Sequence, residues 1–211
     1  MVEVSILVEG GVHPNSNASA DTFDNSEKLR ESFQSLLSKG VQDDRIQIKI
    51  DTKGSYASII KMPLHSNQLA LLDLDGDQSQ KTVRLKEYQL EQHQDFVFFM
   101  IQAMESWILS QPDKIETTFE AYTKIIDGSL AEFQALKDMS PEDISNPSGV
   151  LNSLLQSYFE SEKAGKIKKL KYGKLKNSHL LIQQLDPEKL KYQFEDFHYL
   201  LNKIKELLIH A

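Results

Sequence analysis

Residues 69–77 read Leu-Ala-Leu-Leu-Asp-Leu-Asp-Gly-Asp, an apolar run that ends in three carboxylates at alternate positions. A short run that is apolar at every position is typical of a strand buried on both faces of a parallel sheet. In open parallel sheets, ligands bind beyond the carboxyl ends of the strands. The stretch therefore predicts a central strand with a candidate site at its end, formed by Asp73, Asp75 and Asp77.

A second apolar strand, Val2–Val8, is predicted at the start of the chain, and it runs into Glu9 and two glycines. If the two strands are neighbours, Glu9 and the aspartates converge on one edge of the sheet, where they repel one another unless protons or cations intervene. Oxygen ligands without cysteine or paired histidines favour magnesium or manganese over zinc. We therefore predict a Mg²⁺ or Mn²⁺ site at this edge. Glu105, one turn into a later helix, is a further candidate ligand, although such a glutamate more commonly lies on the polar side of its helix.

The other elements of this part of the chain alternate between strands and helices. The pattern predicts a helix from Ser26 to a stop at Gly40, a strand at 46–50, and a strand at 96–99 that leads into a helix over 100–109. This order is typical of an α/β fold with a small, mostly parallel, Rossmann-like sheet flanked by helices.

The pattern changes beyond Pro112. Apolar residues at helical spacing predict amphipathic helices within residues 119–136 and a further helix at 151–159. We therefore expect an α/β core of residues 1–112 and a helical appendage of residues 113–211.

Composition excludes several classes of protein. The 211 residues are 40% hydrophobic and 26% charged, which are ordinary values for a globular chain. No apolar run approaches the ~18 residues that a membrane span requires. The first residues lack the basic segment of a signal peptide, and the chain has no cysteine for disulfides, thiolate zinc sites or nucleophilic catalysis. We therefore expect a cytoplasmic protein that does not enter a membrane.

Charge is distributed unevenly along the chain. Seven lysines and no acid lie between Lys163 and Lys176, so this basic segment, residues 163–176, carries +7. Because the whole chain carries −7, the rest carries −14. The local field attracts a polyanion, so the segment predicts a nucleic-acid-binding surface, with a solvated lysine-rich linker as the alternative. The lysines expected to bind nucleic acid are Lys169, Lys171, Lys174 and Lys176.

Other kinds of site also contain closely spaced aspartates. An EF-hand loop counted from Asp73 needs glycine at its sixth position and glutamate at its twelfth, and Gln78 and Arg84 exclude it. Haloacid-dehalogenase-like phosphatases resemble the Asp-x-Asp-Gly pattern, but they have threonine or valine where Asp77 stands and usually carry the motif on the first strand. A polar turn, in which aspartates cap a helix or accept hydrogen bonds from backbone amides, stays open.

The strand-Glu-Gly and strand-Asp-x-Asp patterns together resemble the Toprim fold of topoisomerases, primases and OLD-type nucleases. A closer resemblance covers nearly the whole chain. It is to a bacterial Toprim-like family of unknown function that is often encoded near an ATPase of the OLD/ABC kind. The segments that carry it are Val8–Gly11, Gly54-Ser55, residues 100–109, the residues Tyr172, Lys174 and Ser178, and Leu185-Asp186-Pro187.

The resemblance implies roles for individual residues. In catalytic Toprim enzymes the strand-one glutamate is a general acid or base and the Asp-x-Asp pair holds a divalent cation, roles that fall here to Glu9, Asp73 and Asp75. Asp77 would extend the metal shell or face water. The chain departs from the family at Gln111, where the tryptophan helix tends to end with an aspartate. It also lacks an acid directly after Glu-Gly, for which the candidates are Asp21, Asp24 and Glu27.

The resemblance implies a divalent-metal-dependent nuclease or phosphodiester-processing protein in a bacterial defence or DNA-maintenance system, with an ABC- or AAA-type ATPase as partner. The chain has no P-loop motif, so any nucleotide hydrolysis would come from that partner. The alternative is a non-catalytic binding subunit that recruits a partner protein, with the acids in structural roles. Trp107, Met100 and Met104 are expected in the core, and the six histidines show no metal-ligand spacing.

Overall fold

In the computed structural model, which describes residues 1–10, 25–53, 55–59, 67–163 and 165–209, four strands form one parallel sheet. They are β1 (Val2–Glu9), β2 (Ile46–Lys53), β3 (Gln68–Asp73) and β4 (Val97–Met100), in the order β2-β1-β3-β4. Leu7 of β1 lies opposite Ala70 of β3, and Asp73 lies opposite Met100 of β4. The predicted fold class is confirmed. Strands β1 and β3 are neighbours, as the convergence of Glu9 with the aspartates requires.

Helices flank this sheet, and a small antiparallel sheet follows it in the chain. The helices are α1 (Ser26–Val41), α2 (Tyr56–Ile59), α3 (Lys81–Glu87), α4 (Met104–Leu109), α5 (Pro112–Thr118), α6 (Gln134–Lys137), α7 (Pro147–Tyr158), α8 (Lys174–Gln184), α9 (Pro187–Gln193) and α10 (Glu195–Ile209). The antiparallel strands are β5 (Thr123–Lys124), β6 (Phe159–Lys163) and β7 (Lys166–Lys169). Within the described ranges, no helix has the length and apolar character needed to cross a bilayer.

Alternate residues of the central strands fill two different layers of the core. Val4, Ile6 and Val8 pack with residues of α1, α4 and the helices from α7 to α10. Leu7 and Leu72 pack on the other face with apolar residues of α3 and of the segment that follows α3. Burial on both faces explains why these strands are apolar at nearly every position.

The two halves of the chain share the larger of these layers. Trp107 is fully buried, and its ring meets that of Phe197 edge-on with centroids 5.0 Å apart. Residues from both sides of Pro112 belong to this one cluster. The helices after residue 112 are thus packed into the core of the sheet, and the predicted division at that residue does not separate two hydrophobic cores.

The prediction of amphipathic helices within residues 119–136 is largely wrong. Helix α5 ends at Thr118, and the segment that follows contains β5, turns and the single turn of α6. Ile125 and Ile126 are 40% and 44% exposed, so they do not form the buried stripe of an amphipathic helix. Their spacing resembled a helix because short apolar pairs carry no unique period.

The sequence did not predict two strands in this region: β7 lies within the basic segment, and β6 ends at its first residue, Lys163. Strands β6 and β7 form a hairpin in which Ser161 lies opposite Lys168, and β5 pairs with β6. Lysine and glutamate have low strand propensity, so the glutamates of β6 and the lysines of β7 concealed the hairpin. The alternative of a solvated linker is therefore wrong for the part of this segment that forms β6 and β7.

Gly40 does not end the first helix. Helix α1 continues to Val41, and Gln42 adopts the left-handed conformation that terminates it, with φ of 52°. A Cβ atom on Gly40 would lie 2.9 Å from Leu201 Cδ1 and 3.3 Å from Pro187 Cβ. Glycine is needed here because α1 passes close to α9 and α10.

Asp196 joins α10 to the edge strand of the sheet. Its carboxylate is 3% exposed, accepts a hydrogen bond of 2.8 Å from the backbone N–H of Phe99 and pairs with Lys81 Nζ at 2.6 Å. The side chain thereby satisfies a backbone donor of β4 that no fifth strand covers.

We expect Asp196→Ala to lower the free energy of unfolding by about 1–3 kcal/mol, because the buried Phe99 N–H loses its acceptor. Asp196→Asn keeps an oxygen for this N–H and should lose less. Urea denaturation of the two variants measures the difference. Equal losses would show that the hydrogen bond to β4 is not the stabilising contact.

Candidate functional site

The carboxyl ends of β1 and β3 bring together the residues that we call the acidic cluster: Glu9, Asp73, Asp75, Glu105 and the cation Lys174. Glu9 ends β1 and Asp73 ends β3. The charges of Asp73 and Asp75 both raise the pKa of Glu9, which places the three carboxylates within electrostatic range of one another. The predicted convergence at this edge of the sheet is therefore observed.

Backbone hydrogen bonds fix the loop that carries Asp75. The N–H of Asp75 donates to the carbonyl of Gln102 at 2.8 Å, and the N–H of Gln102 donates to the carbonyl of Gly76 at 2.9 Å. Asp75 and Gln102 both have positive φ, 52° and 60°. The loops after β3 and β4 are thus hydrogen-bonded to each other, and two of their residues have a backbone conformation that few L-residues adopt. Together these features fix the backbone of the Asp75 loop.

Both oxygens of Asp73 are engaged within the protein. Oδ1 accepts a hydrogen bond of 2.9 Å from the backbone N–H of Met104, at the start of α4. Oδ2 pairs with Nζ of Lys174 at 2.6 Å. The Asp73 side chain is 6% exposed and that of Lys174 is 37% exposed, so the ion pair lies between the core and solvent.

The surroundings of Lys174 keep it charged. Burial alone would lower the pKa of Lys174, but the charges of Asp73 and Glu105 and the hydrogen bond to Asp73 raise it above its ordinary value. Lys174 is thus a permanent cation within a group of carboxylates.

Glu9 holds its proton more tightly than an ordinary glutamate. Burial first, and then the charge of Asp73, raises the pKa of Glu9 to about 7. Oε1 accepts a hydrogen bond of 3.1 Å from the backbone N–H of Tyr56, whereas the buried Oε2 has no partner among the described residues. Glu9 therefore offers one free oxygen and exchanges its proton near neutral pH, which are the properties of a general acid or base.

Asp75 and Glu105 complete the carboxylates of the cluster. Burial and the charge of Asp73 raise the pKa of Asp75, and burial raises that of Glu105. Glu105 is 2% exposed and accepts a hydrogen bond of 2.8 Å from the hydroxyl of Tyr172. Glu105 belongs to the site edge and not to the solvated side of α4.

Buried amides hold the segment that supplies Tyr172 and Lys174. Asn152 Oδ1 accepts from the N–H of Tyr172 at 3.0 Å, and Asn177 Oδ1 accepts from the N–H of Gly173 at 2.8 Å. The hydroxyl of Ser178 donates to the carbonyl of Lys174. The asparagines were not predicted, since an isolated amide on a helix carries no sequence signal for the backbone group that it will bind.

The structure places Asp77 outside the acidic cluster. Its carboxylate caps a 3₁₀ turn over Gln78–Gln80, accepting from the N–H of Ser79 at 2.9 Å and from the Ser79 hydroxyl. These hydrogen bonds lower the pKa of Asp77. For this residue the polar-turn explanation describes the structure, and the predicted role as a metal ligand has no geometric support.

Gln111 makes a contact that an aspartate could not make. Its side-chain nitrogen donates to the carbonyl of Asp186 at 3.0 Å, while its side-chain oxygen accepts from the N–H of Asp186 at 2.9 Å. An ionised carboxylate only accepts hydrogen bonds. Glu27 is exposed on α1, and the other positions named earlier, Gly11, Asp21, Asp24 and Gly54, lie outside the described residues.

The donor set suits a magnesium ion that completes its shell with water and substrate. Among the described residues, no three acidic or histidine side chains form a ready-made metal site. Mg²⁺ is commonly held by one or two carboxylates together with waters and phosphate oxygens. The exposed residue Asp75 fits that role. Asp73 and Glu105 do not act as free ligands here, because Lys174 and Tyr172 occupy them.

The predicted nucleic-acid-binding lysines separate into two groups. Lys169, Lys171 and Lys176 are exposed beside the hairpin. Lys174 belongs to the acidic cluster instead, which corrects its assignment to the exposed surface. His179, on α8 beside this segment, is 8% exposed, and burial lowers its pKa.

Comparison with known proteins gives one match. The model of a family described as a domain of unknown function (DUF4276) matches residues 16–205. Neither the curated proteins nor the solved structures contain a match to this chain.

We expect Glu9→Gln to change how stability depends on pH. The pKa of Glu9 rises from 4.5 to about 7 on folding, so between these values the folded state holds more protons and wild-type stability falls as pH rises. The uncharged variant lacks this loss. Its stability relative to wild type should be greatest at pH 8 and should decline towards pH 5 in urea denaturation. A difference that does not vary with pH would contradict the raised pKa. Glu3→Gln, at an exposed position of β1, is the control.

We expect Lys174→Met to lower the free energy of unfolding by about 3 kcal/mol, because it leaves the Asp73 carboxylate buried without its cation. The double variant Lys174→Met with Asp73→Asn removes both charges and should recover part of this loss. A double-mutant cycle by urea denaturation measures the coupling. Additive losses would mean that the two side chains do not interact.

Proposed function

We propose that this chain, which belongs to the family described as a domain of unknown function (DUF4276), is a Toprim-like protein that processes nucleic-acid phosphodiesters with the aid of a divalent cation. The observation that carries the proposal is the convergence of Glu9, Asp73 and Asp75 at the ends of two adjacent parallel strands, with the pKa of Glu9 at about 7.

Glu9 is the general acid or base of the proposed reaction. Its Oε2 has no hydrogen-bond partner among the described residues, and a pKa near neutrality lets Glu9 accept a proton from water or return one to a leaving oxygen. Burial, and after it the charge of the neighbouring Asp73, keeps this pKa raised. Because Met104 and Lys174 hold Asp73 in place, the electrostatic environment of Glu9 is fixed before substrate arrives.

Asp75 is the residue that would hold Mg²⁺ or Mn²⁺, together with water and phosphate oxygens. When bound, the ion would neutralise negative charge on the phosphate, which the acidic edge would otherwise repel. Lys174 already offsets one of the carboxylates, so fewer negative charges oppose the substrate. The exposed lysines Lys169, Lys171 and Lys176 supply an attractive field for a polyanion.

The Toprim resemblance extends the proposal to the cellular setting. It adds a cytoplasmic location, an ABC- or AAA-type ATPase partner and a role in bacterial defence or DNA maintenance. The absence of a P-loop motif from the sequence agrees with a partner that supplies nucleotide hydrolysis.

A non-catalytic binding subunit is the second candidate. It is favoured by the internal pairing of two cluster carboxylates, Asp73 with Lys174 and Glu105 with Tyr172. In that case the cluster would hold the C-terminal segment against the sheet, and the chain would act by recruiting a partner protein.

A cleavage assay separates the two candidates. Labelled single-stranded DNA, duplex DNA and RNA are incubated with the full chain in Mg²⁺, Mn²⁺ or EDTA. We expect cleavage that requires the ion and that falls by at least about 100-fold in Glu9→Gln, the lower end of the contribution of a general acid or base. Asp77→Asn, outside the cluster, is the matched control and should stay within about twofold of wild type.

Thermal unfolding gives a readout that does not depend on turnover. Millimolar Mg²⁺ should raise the melting temperature of wild type and not that of Asp75→Asn, because an ion that binds only the folded state stabilises it. Cleavage that survives both Glu9→Gln and Asp75→Asn would indicate a contaminant. Absence of cleavage on every substrate would reject the catalytic proposal in favour of the binding subunit.

A further inference from the structure

The charged residues of the hairpin β6–β7 lie on two different faces. Cross-strand partners share a face, and successive residues of a strand alternate between faces. Ser161 is opposite Lys168, and Lys166 lies two residues before Lys168 on the same face. Glu160 and Glu162 fall on the other face, opposite Lys169 and Ile167. The pleat therefore gives the hairpin one lysine face from which its glutamates are absent.

A groove of about 450 Å³ opens between this lysine face and the start of α8. The residues that define it are Tyr122, Ser161, Lys168, Lys169, Lys171 and Lys176. None of the described residues lining it is acidic. We call it the basic groove.

The four lysines of the basic groove form no ion pair with a described residue, although Lys169 lies opposite Glu160 in the hairpin. All four are exposed, whereas Lys174 pairs with Asp73. Four such cations gathered in one concavity of a chain with a net charge of −7 produce a local field that attracts a polyanion.

The groove also offers an aromatic surface. Tyr122 is partly buried and is held edge-on against Phe119, with ring centroids 5.7 Å apart. Surfaces that bind single-stranded nucleic acid combine a positively charged groove that follows the backbone with aromatic side chains on which bases stack. An acidic peptide would use the lysines but not the aromatic face.

The basic groove and the acidic cluster are connected through one short segment. Lys171 and Lys176 line the groove, while between them Tyr172 contacts Glu105 and Lys174 contacts Asp73. Residues 171–176 thus contribute side chains both to the basic groove and to the acidic cluster.

We propose that the basic groove binds the phosphate backbone of single-stranded nucleic acid, DNA or RNA, and leads it to the acidic cluster. This inference rests on the proposed function for the choice of nucleic acid as the ligand. Beyond the proposed function, it assigns a binding role to Lys168, Ser161 and Tyr122, which lie outside the acidic cluster, and it specifies that the ligand is single-stranded.

Fluorescence anisotropy tests the proposal with the full chain in EDTA, so that binding is measured without turnover. The probes are labelled 20-nucleotide single-stranded DNA, RNA of the same sequence, and the DNA duplex, each titrated at several salt concentrations. The variant pair is Lys168→Ala with Lys171→Ala in the groove. The matched control is Lys49→Ala with Lys205→Ala, two exposed lysines elsewhere on the surface.

We expect single strands to bind more tightly than the duplex, and the groove variant to bind at least about tenfold more weakly than wild type. The slope of log K against log salt should fall by about 1 for each lysine that contacts phosphate, hence by about 2 in the groove variant. The control should stay within about twofold of wild type. Tyr122→Leu should weaken binding without changing the salt slope, because stacking releases no counterions.

Several results would overturn the proposal. These are an equal loss in the control pair, tighter binding of duplex than of single strands, and equal binding of a labelled polyglutamate peptide or of anionic lipid vesicles. Urea denaturation verifies that each variant is folded. Groove-dependent binding without cleavage would reject the catalytic proposal alone, and cleavage that does not depend on the groove lysines would reject this inference alone.

Discussion

The ion pair between Asp73 and Lys174 is the contact on which the organisation of the site depends. It joins the end of the central strand β3 to the first residue of α8, 101 positions further along the chain. Asp73 also accepts from the first amide of α4, so one carboxylate connects three elements. Without a cation at this position, Asp73, Asp75 and Glu9 would face one another as like charges at the edge of a parallel sheet. Lys174 offsets that repulsion and still leaves one oxygen of Glu9 free.

The C-terminal half of the chain belongs to the same hydrophobic core as the sheet. Trp107, from the first half, packs against Phe197 of α10, and Asp196 covers a backbone donor of β4. The segment around Tyr172 then closes the carboxyl end of the sheet, held by the amides of Asn152 and Asn177. Residues 171–176 therefore contain two exposed lysines of the basic groove and also Lys174, whose charge is paired with Asp73 in the acidic cluster.

Local pattern predicted much of the sheet and part of the site. Apolar runs at Val2–Val8 and residues 69–72 identified two buried strands because burial on both faces leaves no polar positions. The acids that follow those strands were then expected to share an edge, and Glu9, Asp73 and Asp75 do. Local pattern failed where the environment decides the outcome. Charged residues of low strand propensity concealed β6 and β7, and Gly40, which resembles a helix stop, allows the close approach of Leu201.

The sequence by itself determined the α/β class, the strands that carry the acids and the excess of positive charge in residues 163–176, because these follow from periodicity and composition. Only the tertiary structure decided what each charge does. In the sequence Lys174 cannot be distinguished from the neighbouring lysines, but in the structure it pairs with Asp73. Likewise the sequence does not distinguish Asp77 from Asp75, but in the structure Asp77 accepts a hydrogen bond from Ser79. The pKa of Glu9, at about 7, likewise arises from burial and from a neighbour on another strand. Electrostatic roles depend on distances between residues remote in the chain, and a linear pattern does not contain those distances.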